Sequence, residues 1–198
     1  MKYIAHRINT IEKLIQTPIE YGVELDLRDY GDKLVLEHDP FVGGEEFEEY
    51  LKYYKHGTMI LNIKSERIEH RVLKLLRKYN ITDYFFLDSS FPMIYLLSKE
   101  GENNIALRYS ELEGLDTIMN MKKKVKWVWV DCFTKFPLDI NTYSVLNSHF
   151  NLCLVSPELQ GHPLSYINDF AKKLVNISFQ AICTKRVDLW NEALKNNG

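Results

Sequence analysis

The sequence carries little net charge and has no long apolar run. Its formal charge is -2 over 198 residues, which gives no electrostatic basis for binding nucleic acid. No apolar run approaches the roughly 18 residues that a membrane-spanning helix requires, and the first residues lack the apolar core of a signal peptide. We therefore expect a cytoplasmic protein with no membrane span and no nucleic-acid partner.

Cysteine is scarce, and its spacing argues against a zinc site. The three cysteines, Cys132, Cys153 and Cys183, lie far apart and in or beside apolar runs. This pattern lacks the short local spacing of a zinc site. It predicts buried free thiols in a reducing compartment.

Linkers, low-complexity segments and glycine-rich loops are also missing from the sequence. A chain of this length with 45% hydrophobic residues is expected to form one domain over residues 1–198 with a sizeable core. No glycine-rich phosphate loop follows the first apolar run, which argues against a dinucleotide-binding fold.

What the sequence does have is a regular series of short apolar, β-branched or aromatic runs. Near-continuous apolarity is typical of strands that are buried on both faces, as in a parallel sheet. The eight runs cover residues 2–6, 22–28, 58–64, 84–88, 104–108, 126–131, 151–156 and 179–184.

Helical patterns separate these runs. Ile68, Val72, Leu75 and Leu76 have the spacing of one helix face, and weaker patterns of the same kind follow. The turn residues 29–32 and the run 33–38 indicate a hairpin that extends the second strand. Eight strands alternating with helices predict a compact (β/α)8 TIM barrel of the α/β class, with a doubly wound open sheet as the alternative.

Two carboxylates stand out in the second run. Glu24 and Asp26 are two positions apart, so on a strand they point to the same face, which would be the interior. Buried carboxylates repel each other unless a cation neutralises them, and magnesium or calcium suits oxygen ligands. The alternative is an ion pair with Arg28 or Lys64 and no metal.

Further candidates lie at the ends of neighbouring runs. Asn62 offers a neutral carbonyl ligand for a metal, and Lys64 offers a point charge for a phosphate oxygen. His6 and His38 are candidates for a general base and a general acid, because both stand at strand ends beside carboxylates. A lone histidine is more often structural, and His162 is a weaker candidate for substrate contact.

Several short motifs together resemble the glycerophosphodiester phosphodiesterase family, within the wider group of barrels similar to phosphatidylinositol-specific phospholipase C. The final run, AICT at residues 181–184, is similar to the last strand of that family. The more specific motifs are AHR at residues 5–7, NT at 9–10, ELD at 24–26, HDP at 38–40 and IK at 63–64.

The resemblance implies a TIM barrel, a divalent metal ion (Mg²⁺ or Ca²⁺) and a role in lipid metabolism. The residue roles that it implies are catalysis for His6 and His38, phosphate binding for Arg7 and Lys64, and metal binding for Glu24 and Asp26. The sequence departs from the family at Asn62, where the family usually carries a metal-binding Glu. Asp131 or Glu158 from another strand is a possible replacement for that carboxylate.

These features favour a metal-dependent phosphodiesterase that hydrolyses a small glycerophosphodiester-like substrate to an alcohol and a phosphomonoester. Three alternatives stay open: a lyase that forms a cyclic phosphate, a phosphomonoesterase, and a degenerate relative that binds a phosphorylated ligand without turnover. Asn62 supports the last alternative, because an uncharged amide is a poorer metal ligand than a carboxylate.

Overall fold

The structure is a computed structural model that describes residues 1–197, in which strands and helices alternate. The strands of these residues are β1 (Lys2–Ala5), β2 (Gly22–Tyr30), β3 (Lys33–Leu36), β4 (Glu45–Glu46), β5 (Met59–Ile63), β6 (Tyr84–Leu87), β7 (Ala106–Tyr109), β8 (Trp127–Val130), β9 (Asn151–Val155) and β10 (Ala181–Thr184). The α-helices are α1 (Ile11–Gln16), α2 (Phe47–Leu51), α3 (Glu69–Lys78), α4 (Phe91–Lys99), α5 (Leu115–Asn120), α6 (Ile140–Asn147), α7 (Tyr166–Lys173) and α8 (Val187–Asn197).

All eight predicted strands are present, each within a few residues of its predicted bounds. The predicted hairpin is also confirmed: β2 pairs antiparallel with β3, with Leu27 opposite Leu36. The third strand ends at Leu36, so His38 lies in the loop that follows it. β4 and α2 were not predicted, because both are very short. β4 has two residues, and the helical spacing of Phe47, Tyr50 and Leu51 in α2 extends over only five residues.

The described residues form two compact units, of which the first is Ala5–Ile105. Here β2 pairs parallel with β5, and β5 pairs parallel with β6. The register sets Asp26 beside Asn62 across the β2–β5 pair. Because paired residues of neighbouring strands point to the same face of a sheet, the side chains of Asp26 and Asn62 lie next to each other.

The second unit combines Met1–Ile4 with the chain from Ala106 onward. Its strands follow the order β1-β10-β9-β8-β7, and the pairs β10–β9, β9–β8 and β8–β7 are parallel. Cys132, Cys153 and Cys183 are buried here as free thiols, as predicted. Burial raises the pKa of the Cys132 thiol, which favours its unreactive protonated form.

Across residues 1–197 we find no helix that combines the length and the apolar character needed to cross a lipid bilayer. The single domain expected over residues 1–198 stays a prediction.

Helix α3 carries an anomaly on its core-facing side. Glu69 begins the buried stripe that continues through Val72, Leu73 and Leu76. Its side chain is fully buried, and neither carboxylate oxygen accepts a hydrogen bond from the described residues. A buried polar group without a partner loses its hydration and receives no compensating bond.

Replacing Glu69 with leucine is therefore expected to stabilise the protein by about 1–3 kcal/mol, because the lost hydration is no longer a penalty. Urea unfolding followed by circular dichroism measures the change. The matched control is Glu66→Leu, at an exposed position three residues earlier, which should change the stability by less than about 0.5 kcal/mol. Equal stability of Glu69→Leu and the wild type would show that the carboxylate is satisfied in solution.

Candidate active site

Three oxygen-bearing side chains converge on one face of the paired strands β2 and β5. Glu24 and Asp26 are almost fully buried and lie on the same face of β2, as their spacing predicts. Asn62 of β5 donates a hydrogen bond from Nδ2 to Oε1 of Glu24 over 2.9 Å. The main-chain N–H of Arg7 donates to the other oxygen, Oε2, also over 2.9 Å.

Asn9 holds Asp26 through two hydrogen bonds. Its Nδ2 donates to Oδ2 of Asp26 over 2.9 Å, and its Oδ1 accepts from the main-chain N–H of Asp26 over 2.9 Å. Helix α1 is capped by Thr10 alone, whose hydroxyl accepts from the N–H of Lys13. Sequence reasoning named Asn9 only within the NT motif at residues 9–10, since nothing in the local pattern reveals a partner on β2.

Two cations flank the same carboxylate. Nε of Arg7 lies 3.5 Å from Oδ2 of Asp26, and Nζ of Lys64 lies 3.5 Å from Oδ1. Lys64 also lies 3.6 Å from Oδ2 of Asp88, at the end of β6. Arg7 and Asp88 both have a backbone φ of 59°, a left-handed conformation that is uncommon outside glycine and clusters at functional sites.

His6 lies beside the buried carboxylates. Its Nε2 is 3.6 Å from Oε2 of Glu24, a distance that allows attraction when the ring is protonated. The side chain is only partly exposed. The structure therefore brings together Lys64 and five of the other predicted site residues: His6, Arg7, Glu24, Asp26 and Asn62.

His38 is held by a different set of contacts. Its Nδ1 pairs with Oδ1 of Asp39 at 2.8 Å, and its main-chain N–H donates to Oε1 of Glu37. Arg28 donates from Nε to the carbonyl of Glu37 and from Nη2 to the carbonyl of His38. Within residues 1–197, the His38 ring forms no hydrogen bond to Glu24 or Asp26.

The sequence left open that Arg28 or Lys64 forms an ion pair with the carboxylates in place of a metal. The structure supports this alternative for Lys64. Lys64 approaches Asp26, whereas Arg28 is used to fix the main chain at His38. Sequence reasoning missed this role of Arg28 and the pairing of Asp39 with His38. Because Asp39 directly follows His38 in the sequence, the contact between their side chains could have been predicted.

The pKa of Glu24 is shifted by its surroundings. Burial, followed by repulsion from Asp26, raises the pKa of Glu24 to about 7, although the hydrogen bonds from Asn62 and Arg7 and the charge of Lys64 oppose the rise. An additional positive charge nearby would therefore favour the ionised form of Glu24.

The donor set fits a hard divalent cation. Oδ1 of Asn62 is buried and has no hydrogen-bond partner among the described residues, and it belongs to the same cluster as the two carboxylates. Oxygen ligands of this kind suit Mg²⁺ or Ca²⁺. No group of three or more His, Cys, Asp or Glu residues within 1–197 is arranged to hold a metal, so a third ligand at this cluster would have to be a neutral group such as the Asn62 amide.

Asp131 and Glu158, the possible replacements for the missing carboxylate, bond within their own unit. Asp131 accepts from Arg108, from Gln160 and from the N–H of Cys132. Glu158 accepts from the hydroxyls of Ser156 and Thr184 and from the N–H of Lys185. These contacts give both carboxylates a structural role.

His162, the weaker candidate, lies in the same unit as Asp131. Its Nε2 is 2.9 Å from the carbonyl oxygen of Cys132, and its ring stacks on that of Tyr166. These contacts are typical of a packed structural histidine.

Comparison with solved structures identifies the fold. A glycerophosphodiester phosphodiesterase from Agrobacterium tumefaciens aligns with a TM-score of 0.67 and 15% identity over 98% of this chain and 99% of that chain. A glycerophosphoryl diester phosphodiesterase from Parabacteroides distasonis aligns with a TM-score of 0.67 and 12% identity, over 98% and 86% of the two chains. This chain has the glycerophosphodiester phosphodiesterase fold.

The predicted fold class, an α/β chain of the (β/α)8 TIM-barrel type, is confirmed by this likeness, and so is the predicted resemblance at the level of the fold. No protein-family model matches the chain, and a search of curated proteins finds no match. The phosphodiesterase fold is thus recognised through its structure at low sequence identity, and the roles of the site residues rest on the geometry above.

Proposed function

We propose that this protein is a phosphodiesterase that hydrolyses a small glycerophosphodiester-like substrate to an alcohol and a phosphomonoester. The observation that carries the proposal is the convergence of a histidine, two cations and two buried carboxylates around the paired strands β2 and β5. This cluster occurs in a fold shared with two proteins described as glycerophosphodiester phosphodiesterases.

The chain's own residues account for charge and proton movement. Arg7 and Lys64 bind the phosphate oxygens and stabilise the negative charge that grows in the transition state. As water attacks phosphorus, one of His6 and His38 takes a proton from it. The other histidine gives a proton to the oxygen of the leaving alcohol as the P–O bond breaks.

A divalent cation, Mg²⁺ or Ca²⁺, would be held by Glu24, Asp26 and Asn62. When bound, it supplies Lewis-acid polarisation of a phosphate oxygen. The buried, unpartnered Oδ1 of Asn62 supports this assignment. Asn62 also orients Glu24 through its Nδ2, and Asn9 fixes Asp26.

We also propose a cytoplasmic location. All three cysteines are free and buried, and free thiols persist in reducing compartments.

The proposal is tested with a panel of glycerophosphodiesters and bis(p-nitrophenyl) phosphate, assayed with Mg²⁺, Ca²⁺, Mn²⁺ or EDTA. We expect turnover that EDTA abolishes, with a phosphomonoester and an alcohol as the products in phosphorus NMR. A cyclic phosphate product would instead assign a lyase. Hydrolysis of p-nitrophenyl phosphate in preference to the diester would assign a phosphomonoesterase.

Asn62 favours one further candidate function, a protein that binds a phosphorylated ligand without turnover. With two charged ligands instead of three, the site holds a cation less firmly. Calorimetric binding of glycerol phosphate by a folded protein that hydrolyses none of the panel would support this function.

Asn62→Glu is expected to raise the affinity for Mg²⁺ or Ca²⁺ about tenfold or more, because ligand charge sets the affinity of oxygen-lined sites. Isothermal titration calorimetry of the metal alone measures the change. The control is Asn104→Glu, which alters an asparagine outside the cluster and should leave metal affinity unchanged. If Asn62→Glu has the same affinity as the wild type, Asn62 does not lie at the metal.

A further inference from the structure

The loop after β3 presents an apolar tip to solvent. Phe41 is 94% exposed and Val42 is 49% exposed. Tyr30, at the end of β2, is 52% exposed, and its ring lies beside Gly43, where an added Cβ would be 3.7 Å from Cε1 of Tyr30. We refer to Tyr30, Phe41 and Val42 as the apolar tip.

The loop that carries the apolar tip is fixed on both sides. On its first side, Arg28 binds the carbonyls of Glu37 and His38, and the Glu37 carboxylate accepts from the N–H groups of His38 and Asp39. On its second side, a Cβ at Gly44 would lie 2.3 Å from the carbonyl oxygen of Leu36, so only glycine permits this close approach.

The backbone at the tip is itself unusual. Phe41 has a φ of 64°, which is a genuine outlier for a bulky residue. Outliers of this kind persist where the surrounding structure imposes them, and they cluster at functional sites. The fixed loop therefore holds a large aromatic side chain in water, where it contributes little to folding, at a position three residues after His38.

We propose that the apolar tip inserts into a lipid surface, so that the neighbouring site acts on phosphodiesters of lipids presented there. The proposal rests on the proposed function for its chemistry. An apolar segment that binds at an interface enters the boundary between headgroups and acyl chains. Because the same short loop carries His38, insertion of Phe41 and Val42 brings this histidine to the level of the lipid phosphates.

The charges around the tip indicate which surface suits it. The segment 28–46 is mostly acidic, and of its two cations Lys33 is paired with Glu46. Its acidic residues are Asp29, Asp32, Glu37, Asp39, Glu45 and Glu46, against Arg28 and Lys33. Selection of an anionic surface requires a cluster of basic residues, which this segment lacks. A zwitterionic surface such as phosphatidylcholine is therefore the expected target.

The first measurement is co-sedimentation of the purified protein with phosphatidylcholine vesicles. The wild type is expected to bind, and Phe41→Ser should weaken binding about tenfold, with Val42→Ser in the same direction. The matched control is Val175→Ser, which removes an exposed apolar side chain from the other unit and should bind like the wild type. A wild type that stays in the supernatant, or a Phe41→Ser variant that binds equally well, overturns the proposal.

The second measurement separates this proposal from the proposed function. Turnover of lysophosphatidylcholine in micelles is divided by turnover of soluble glycerophosphocholine, and Phe41→Ser should lower this ratio about tenfold.

Hydrolysis of the soluble diester without vesicle binding refutes the lipid surface and leaves the phosphodiesterase intact. Vesicle binding without hydrolysis of any diester supports the surface and refutes the enzyme. Dimers of the wild type that Phe41→Ser dissociates, without vesicle binding, assign the tip to a second copy and overturn the proposal.

Discussion

Replacing His6 or His38 with alanine is expected to lower the turnover of the phosphodiester by about 10²–10⁴-fold, the typical contribution of one general acid or base. Nε2 of His6 lies 3.6 Å from Oε2 of the buried Glu24, so a carboxylate lies beside the ring that is proposed to take or give the proton. His38 pairs with Asp39 at 2.8 Å, which orients the ring through Nδ1 and leaves Nε2 for proton transfer. Steady-state assays on a glycerophosphodiester at saturating substrate measure kcat, because its alkoxide leaving group needs the proton of the general acid.

The matched control for both variants is His149→Ala, because His149 is exposed at the end of α6 and contacts Phe150. All three variants should keep a thermal midpoint within a few degrees of the wild type, because none of the three histidines is a fully buried residue. Near-native turnover of both His6→Ala and His38→Ala would refute the assignment of the two histidines. Loss in only one of them would leave a single proton carrier at the site.

The strands were predictable because each one is a compact apolar run. The run of β8, Trp127–Val130, is buried along its whole length, as expected for a parallel strand covered on both faces. Glu24 and Asp26 were predictable for a related reason, since the period of two along a strand fixes which side chains share a face. Both inferences depend only on local sequence.

The pairing of these residues with others was not predictable in the same way. Asp26 neighbours Asn62 because β5, and not the intervening hairpin, forms the parallel partner of β2. Asn9 reaches Asp26 across a separation of 17 positions, and Arg28 reaches the carbonyl of His38 across 10. Contacts of this range depend on tertiary packing, and Asn9 has a second plausible local use as a helix cap.

Glu69 shows that a periodic apolar pattern does not identify every buried residue of a helix. The apolar stripe of α3 was recognised from Val72 and Leu76, but the first buried position of that stripe is a carboxylate. A charged residue in a helical pattern is normally assigned to the solvent side. Only the structure shows that Glu69 faces the core, which is why its effect on stability can be stated from the structure and not from the sequence.

Arg108→Met is expected to destabilise the fold by about 3–5 kcal/mol, because it leaves a buried carboxylate without its cation. Asp131 is fully buried, and Arg108 is partly exposed and donates from Nη1 to Oδ2. After the substitution, the donors left to Asp131 among residues 1–197 are the amide of Gln160 and the N–H of Cys132. Neutral donors cannot replace the charge of a guanidinium in a dry environment. Urea unfolding of the purified chain measures the change.

A double-mutant cycle separates the ion pair from packing. Arg108→Met/Asp131→Leu removes both charges and should be less destabilised than the sum of the two single variants, since no isolated buried charge remains. Arg108→Lys is the control that keeps a charge while losing the planar guanidinium, and an intermediate loss is expected. The ion pair would be refuted if the changes in the free energy of unfolding were additive, or if Arg108→Met lowered that free energy by less than about 1 kcal/mol. Either result would show that water replaces Arg108 as the partner of Asp131. In that case this carboxylate would be available for a role beyond structure.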